Sequence, residues 1–488
     1  MSVEAIILIT IFILNFIFLF TMVMAERKQP NTILSWFVVL TFLPVIGFVL
    51  YLLFGGGLSL RTRRLINRRK RYTSDYYKFV SWQRVNFKAL KAQNEKYDYA
   101  YDLINFIKSD DNCAFTTDNK VEVFTSGEEK IEHLKQDLKN AKSSINIEYY
   151  IFADDKVGKE IMNILLEKAK SGVKVKLIYD SVGCLGTPRR FFRKLKRYGG
   201  EVAEFFPPFI GIRLINLKIN YRNHRKIVVI DGKIAYTGGI NIRDDHMGMV
   251  KKVSPWRDTH IRIEGRAVWD LQNVFFNDFR CVKKERLDAK KLVEEGYFVQ
   301  DSLMSKGDVG VQIITCGPES NDRNIEDAYI KMINLAKKRV YIQTPYFIPD
   351  ETFIKAVILA KKSGVDVKIM IPKKPDKKFV YYVTLSYIKR LLDVGVDVYL
   401  YKGFIHSKTI LVDDLAVAIG TCNMDNRSFA LNFEISAVLY GKDFVNKNKK
   451  IFCQDMENSE LFTTQTYKRR FLSSKFAQAI LRLFSPLM

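Results

Sequence analysis

At 488 residues with 48% hydrophobic side chains, the chain is long enough for two or three domains with sizeable cores. Its 78 Lys and Arg against 53 Asp and Glu give a formal charge of +25, which points to an anionic partner, either nucleic acid or an acidic membrane surface; charge alone does not choose between them. The six cysteines form no Cys-x-x-Cys pair, which excludes the usual spacing of a zinc site or a dense disulfide framework and suits reduced thiols in a domain facing the cytoplasm.

Residues 5–25 are apolar and uncharged, and 33–54 repeat the pattern with Pro44 inside. Each run exceeds the ~20 residues that cross a bilayer core, so 1–56 is expected to form two transmembrane helices joined by a short link around Glu26-Arg27-Lys28. A cleaved signal peptide fits poorly, because Met1-Ser2-Val3-Glu4 carries no basic side chain and a second apolar run follows at once. Seven Lys or Arg residues lie between Arg61 and Arg71, two in the short link and none at the N-terminal tip, which places the body in the cytoplasm of a multi-pass cell-membrane protein. Residues 57–110 read as a basic connector whose 61–71 cluster lies against anionic headgroups.

From 111 the pattern becomes an α/β alternation. Residues 129–142 have helical spacing, 145–152 read as a strand, 157–170 as a helix ending at Ser171-Gly172, and 173–179 as a strand. The segment 207–222 is apolar and basic, and reads either as a buried strand pair or as a lip that dips into the bilayer. Next comes Asn223-His224-Arg225-Lys226, four apolar residues and Asp231: H-x-K-x4-D. In a strand His224 and Lys226 project from one side, and Asp231-Gly232 reads as a hairpin turn. Six residues separate Asp231 from Gly238-Gly239-Ile240-Asn241, and further on comes Trp256-Arg257-Asp258-Thr259-His260.

The second half repeats the order. Residues 323–338 look helical, 340–347 a strand, 351–362 a helix ending at Ser363-Gly364, and 365–371 a strand. His406-Ser407-Lys408 is followed by Thr409-Ile410-Leu411-Val412, Asp413, six residues, and Gly420-Thr421-Cys422-Asn423, the same H-x-K-x4-D spacing. The duplication has a period of about 190 residues, so 111–295 and 296–465 are expected to be two similar domains, with 466–488 an amphipathic tail that either packs on the body or lies in the membrane interface. Two facing copies would supply two imidazoles ringed by ammonium and amide donors, which suits a phosphodiester with charge spread over several oxygens. His246 lacks such a context and reads as ordinary; His260 has no evident role of its own.

The doubled motif, with Thr344-Pro345-Tyr346-Phe347 and Asn432-Phe433-Glu434, resembles the phospholipase D superfamily and, within it, the bacterial cardiolipin synthases. The resemblance covers nearly the whole chain and implies two mixed-sheet halves, flanked by helices and related by a pseudo-two-fold, with one motif from each at the seam. It implies a phosphohistidine mechanism without metal or cofactor: His224 as nucleophile, His406 as general acid and then base, a symmetry the residues themselves do not break. Lys226, Lys408, Asn241 and Asn423 would contact the non-bridging oxygens, while Gly238, Gly239 and Gly420 would let backbone approach the phosphate. An acid from the same half would hold each imidazole, Glu434 at the family's spacing of eleven residues from Asn423 and Asp258 at a longer one. Asp231 and Asp413 complete the catalytic motifs, with a structural part to play at the turns. The expected partners are phosphatidylglycerol and anionic membrane lipids, not nucleic acid. The expected reaction is phosphatidyl transfer giving cardiolipin and glycerol; a hydrolase of phospholipase D type, another phosphatidyltransferase, or a membrane-tethered nucleic-acid phosphodiesterase are the alternatives.

Overall fold

The computed structural model describes residues 2–24, 30–51, 95–109, 113–207, 221–250, 254–283, 289–299, 306–319 and 322–469, together with 478, 481 and 482. The 61–71 cluster, most of the 57–110 connector, positions 208–220 of the 207–222 segment and most of the tail lie outside these residues.

The first apolar run is a helix, Val3–Met24, whose residues Val3–Phe20 have a mean hydropathy of 2.7 and are long enough to cross a membrane. The second is not the continuous span expected from the sequence. It forms Pro30–Phe42 and then Pro44–Leu50, broken at Leu43. Proline has no N–H to give the carbonyl four residues back, and it drives the preceding residue out of helical geometry; Leu43 sits at φ −129°, ψ 63°. The carbonyl left over belongs to Leu40. The buried Asn15 amide donates to it at 3.4 Å and to Pro44 O at 3.1 Å, so a polar residue of the first helix satisfies the break in the second.

The body is built on one 15-stranded mixed sheet. Its first half supplies β1 (Phe115–Phe124), β2 (Ser144–Tyr149), β3 (Lys174–Asp180), β4 (Glu201–Phe205), β5 (Lys226–Ile230), β6 (Ile234–Gly238), the short β7 (Trp256–Arg257) and β8 (His260–Glu264). The second supplies β9 (Val309–Cys316), β10 (Arg339–Gln343), the short β11 (Phe347–Ile348), β12 (Asp366–Pro372), β13 (Asp397–Tyr401), the short β14 (Phe404–Ile405), β15 (Thr409–Val412), β16 (Ala416–Gly420), the short β17 (Met424–Asp425), β18 (Glu434–Tyr440) and β19 (Ser459–Phe462). Read outward from the centre, the first half runs β1-β8-β6-β5-β2-β3-β4 and the second β9-β18-β16-β15-β10-β12-β13, the same order, with β19 added at one edge. The halves join through the antiparallel β1–β9 pair.

The apolar runs after the motif lysines are strands buried on both faces, which is why they do not alternate with polar residues. Ile227 and Val229 pack into a core shared with the second half, and Val228 and Ile230 into the outer core of the first. Leu411 likewise faces the shared core, and Ile410 and Val412 the outer core of the second half. Helices Ala267–Lys283 and Lys442–Glu457 contribute to the shared layer; Gly127–Asn140, Lys156–Lys170 and Arg189–Lys196 cover the first outer face. The helix ends expected at Ser171-Gly172 and Ser363-Gly364 are present, with both glycines in the left-handed region at φ +88° and +87°.

The Asp231-Gly232 turn joins β5 to β6, closed by Lys233 N–H donating to Ile230 O at 3.0 Å, with positive φ at both central residues. Asp231 accepts from the backbone N–H groups of Lys142, Ser143 and Ser144 at 2.7–2.9 Å. Asp413 does the same for Lys337, Lys338 and Arg339 at 2.6–2.8 Å. Each aspartate thus ties its hairpin to the start of the neighbouring strand. Both stand at the far end of their strands from the histidines, seven residues on, roughly 23 Å away at about 3.3 Å each.

Candidate active site

His224 and His406 are not within strands, as alternation over H-x-K suggests. Each lies in the extended segment just before one, β5 or β15, and that segment is held by the other half. Asn223 bridges in parallel to Phe433, and His224 N–H donates to Phe433 O at 2.9 Å. In mirror fashion β14 pairs in parallel with β7, and His406 N–H donates to Arg257 O at 2.6 Å. Phe433 and Arg257 each immediately precede a carboxylate residue, so this exchange determines which acid meets which imidazole.

The pairing is crossed. His224 Nδ1 lies 3.0 Å from Glu434 Oε2, and His406 Nδ1 lies 2.6 Å from Asp258 Oδ2. The expectation of an acid from the same half is therefore corrected: each imidazole is held by the opposite half, because the strand-like exchange at the seam carries each motif past its own acid. His224 Nδ1 is also 3.1 Å from Thr421 O. A carbonyl can only accept, so Nδ1 carries the proton and Nε2 the lone pair. Glu434 is itself held by Thr421 Oγ1 at 2.5 Å and Asn432 Nδ2 at 3.1 Å, and Asp258 by the Thr259 N–H at 2.7 Å.

Burial pushes the His224 imidazole down to about 4 against the opposing pull of Glu434. His406 is also held well below the ordinary histidine value, by burial and then by Lys408 and Lys226, with His224 acting in the same direction. Burial lowers Lys226 to about 7 and Lys408 to about 8, although Glu434 and Asp258 pull both the other way. Burial alone would raise Glu434; His224 and Lys226, with the Thr421 hydroxyl, hold it below the usual carboxylate value. Burial raises Asp258, opposed chiefly by Lys408. The two motif copies thus form one electrostatic unit. Each lysine also donates to the main-chain carbonyl of its own histidine, Lys226 at 2.7 Å.

The remaining expected residues divide. Asn423 lies beside the second motif, its Oδ1 buried without a hydrogen-bond partner among the described residues. The Asn241 amide is engaged: Nδ2 is 3.2 Å from His246 Nε2, and Oδ1 accepts from Ile151 N–H at 3.3 Å. The glycines make room for protein. A Cβ on Gly239 would fall 2.0 Å from Asp258 Oδ1, one on Gly238 2.5 Å from His260 Cα, and one on Gly420 2.4 Å from Ile435 O. Asp231 and Asp413 lie outside the site, at the distal turns.

The site also recruits His246, which nothing in its sequence context marks. Its ring meets His406 edge-on at 5.2 Å and Trp256 at 4.1 Å, and its Nδ1 is 3.9 Å from Asp258 Oδ2. His246, Asp258 and His406 place ligand-type atoms within 4.8 Å of one another, but the Asp258–His406 hydrogen bond already uses two of them. Tyr150 packs edge-on against the other imidazole, with its centroid 4.8 Å from that of His224. Sequence reasoning missed it, because matching Tyr150-Ile151-Phe152 to Pro345-Tyr346-Phe347 sets Tyr150 opposite a proline. His260 stands behind Gly238, fully buried, its ring nitrogens without a partner among the described residues.

Residues 134–253 and 329–456 match the family model described as "Cardiolipin synthase, PLD-like domain", and 13–56 match "Phospholipase_D-nuclease N-terminal". The chain is 39% identical over 497 residues to a cardiolipin synthase of Listeria monocytogenes serotype 4a (strain HCC23), and 40% over 491 residues to the major cardiolipin synthase ClsA of Bacillus subtilis (strain 168); each alignment covers 100% of both chains. It is 41% identical to a cardiolipin synthase of Staphylococcus aureus (strain Mu50 / ATCC 700699), covering 98% of this chain and 95% of that one. Among solved structures, the phosphatidylserine synthase of Haemophilus influenzae Rd KW20 superposes with a TM-score of 0.60 at 16% identity, covering 80% of this chain and 97% of that one, which shows the shared fold.

Proposed function

We propose a mechanism from one premise: this chain belongs to the cardiolipin synthases of the phospholipase D-like family. It is a membrane-associated phosphatidyltransferase that makes cardiolipin. The donor and acceptor are both phosphatidylglycerol. His224 Nε2 attacks the phosphorus of the first lipid, the bond from phosphorus to the glycerol headgroup oxygen breaks, and His406 gives that oxygen its proton. A terminal hydroxyl of the second phosphatidylglycerol then loses its proton to His406 and attacks the phosphohistidine. The N–P bond breaks and cardiolipin leaves. One phosphodiester is exchanged for another, so no nucleotide is consumed.

The observation that carries this reading is the crossed pairing, which gives each imidazole its own carboxylate within one buried cluster. The Nδ1–H tautomer leaves His224 Nε2 free to attack. Lys226 and Lys408, with Asn423, stabilise the charge that develops on the non-bridging oxygens. In the free protein the two lysines help keep His406 neutral. A bound phosphate anion offsets their field, and Asp258 then supports the imidazolium that protonates glycerol. Asp231 and Asp413 act through the fold.

The test uses purified protein in vesicles with labelled phosphatidylglycerol, following cardiolipin and glycerol together. Equal release of both supports transfer; phosphatidic acid in place of cardiolipin would mean that water is the acceptor. His224→Ala and His406→Ala should each lose transfer by more than about 1000-fold with the fold retained. On topology, the second apolar run completes a hairpin despite its break, and the basic 61–71 cluster keeps the body in the cytoplasm. Reagents confined to the outside of intact cells should then label a cysteine placed at Lys28 but none in the body.

A further inference from the structure

The two histidines open at one end of the sheet, where β2, β3 and β4 end and β5 begins, and where β10 and β12 end and β15 begins. Among the described residues, three segments at that end carry large apolar side chains into solvent, two of them loops and the third the first turn of the helix Lys378–Leu392. Leu185, after β3, is 69% exposed; Met249 and Val250, after β6, are 48% and 42% exposed; Phe379, after β12, is 45% exposed. Each neighbours the site through contacts already in place. Cys184, next to Leu185, accepts from Phe152 N–H and lies 3.5 Å from the carbonyl of Tyr150, whose ring packs on His224. Met249 follows His246, whose ring packs on His406. Lys377, two residues before Phe379, is one of the charges that lower His406.

Each apolar tip is flanked by exposed bases: Arg189 and Arg190 beside Leu185, Arg243 near Met249, and Lys377 and Lys378 beside Phe379. Two of these bases are ion-paired, Arg189 with Glu204 at 2.8 Å and Arg243 with Asp245 at 3.3 Å, and Asp376 accepts from the Tyr346 hydroxyl at 2.6 Å, so Arg190, Lys377 and Lys378 carry most of the rim's positive charge. Exposed apolar tips set among cations match a surface with hydrocarbon below and negative charge above. Nucleic acid would reward the cations but not the apolar tips.

We propose that this three-segment rim docks on the anionic bilayer surface of the membrane the first helix enters, so that the headgroup phosphate reaches the histidines without the lipid leaving its leaflet. The proposal deepens the assigned lipid chemistry and rests on it, but docking is measurable without turnover. Full-length Leu185→Cys carrying a polarity-sensitive fluorophore, with the labelled parent chain as background, is placed in phosphatidylcholine vesicles with and without about one third phosphatidylserine. The expected result is a blue shift and quenching by lipid-borne spin labels when phosphatidylserine is present, both lost in the Arg189→Glu/Arg190→Glu/Lys377→Glu/Lys378→Glu variant. Leu185→Asp/Met249→Asp/Phe379→Asp should lower turnover on vesicles on the order of tenfold while leaving turnover of a short-chain, monomerically dissolved phosphatidylglycerol within about twofold, since only interfacial insertion is removed. The proposal is overturned if the probe stays in water, if it responds equally without anionic lipid, if the aspartate variant loses both substrates alike, or if a single-stranded RNA protects the rim and excludes vesicles. A docked rim on a protein that makes no cardiolipin would contradict the enzymatic reading alone.

Discussion

A methyl group on Gly239 would fall 2.0 Å from a carboxylate oxygen of Asp258, so Gly239→Ala must displace the group that orients His406. The expected outcome is a loss of kcat on the order of 100-fold, with little change in the circular dichroism spectrum or melting temperature. The lysines give a pH dependence of definite sign. Burial holds Lys226 at about 7 and Lys408 at about 8, so both are charged below those values and neutral above them. As pH rises through that window kcat/KM should fall, because the free enzyme loses the cations proposed to receive the phosphate. The kcat should fall later, since bound phosphate favours the charged lysines. On the acid side His224, held at about 4, stays neutral and nucleophilic until the pH approaches that value. A pH profile of both constants on one lipid preparation checks these limbs. The imidazoles and lysines were legible in the sequence because the motif is written twice, whereas both acids were named only through the family resemblance. His246 was not legible, because its part in the site comes only from the fold that brings it against His406 and Asp258.

At the scale of single elements, the motif aspartates and the motif histidines flank opposite ends of the same short strands. Asp231→Ala removes an acceptor from three backbone N–H groups and should cost about 1–2 kcal/mol of stability. At a temperature where the variant stays folded, kcat should remain within about threefold of the parent, because no substrate-facing group changes. Thermal melts and assays on the same preparation separate the two effects. The hairpin turn was readable from Asp231-Gly232, and the helix stops from Ser-Gly pairs, because local backbone geometry governs both. The interruption of the second apolar run was also signalled by Pro44. What the sequence did not show is that Asn15, about one helix length away, satisfies the freed Leu40 carbonyl.

At the scale of the whole molecule, the two halves repeat one strand order about the β1–β9 seam and then exchange carboxylates across it. The repeat could be read from sequence, since spacing survives duplication. The exchange could not, because linear order does not say which acid faces which imidazole. One consequence is that the site is complete within a single chain. Mixing His224→Ala with His406→Ala protein should restore no transfer above the sum of the two, whereas a site assembled between chains would recover a sizeable fraction. The central claim is that two imidazoles, each held by the opposite half's carboxylate, act in turn on one phosphorus atom. Its most direct test is a rapid denaturing quench of the wild-type protein during turnover of phosphatidylglycerol labelled in its phosphate, followed by mass-spectrometric mapping of the modified residue. A phosphatidyl group on His224 is the expected result; a label on His406 alone, or steady turnover with neither histidine ever labelled, would contradict this mechanism.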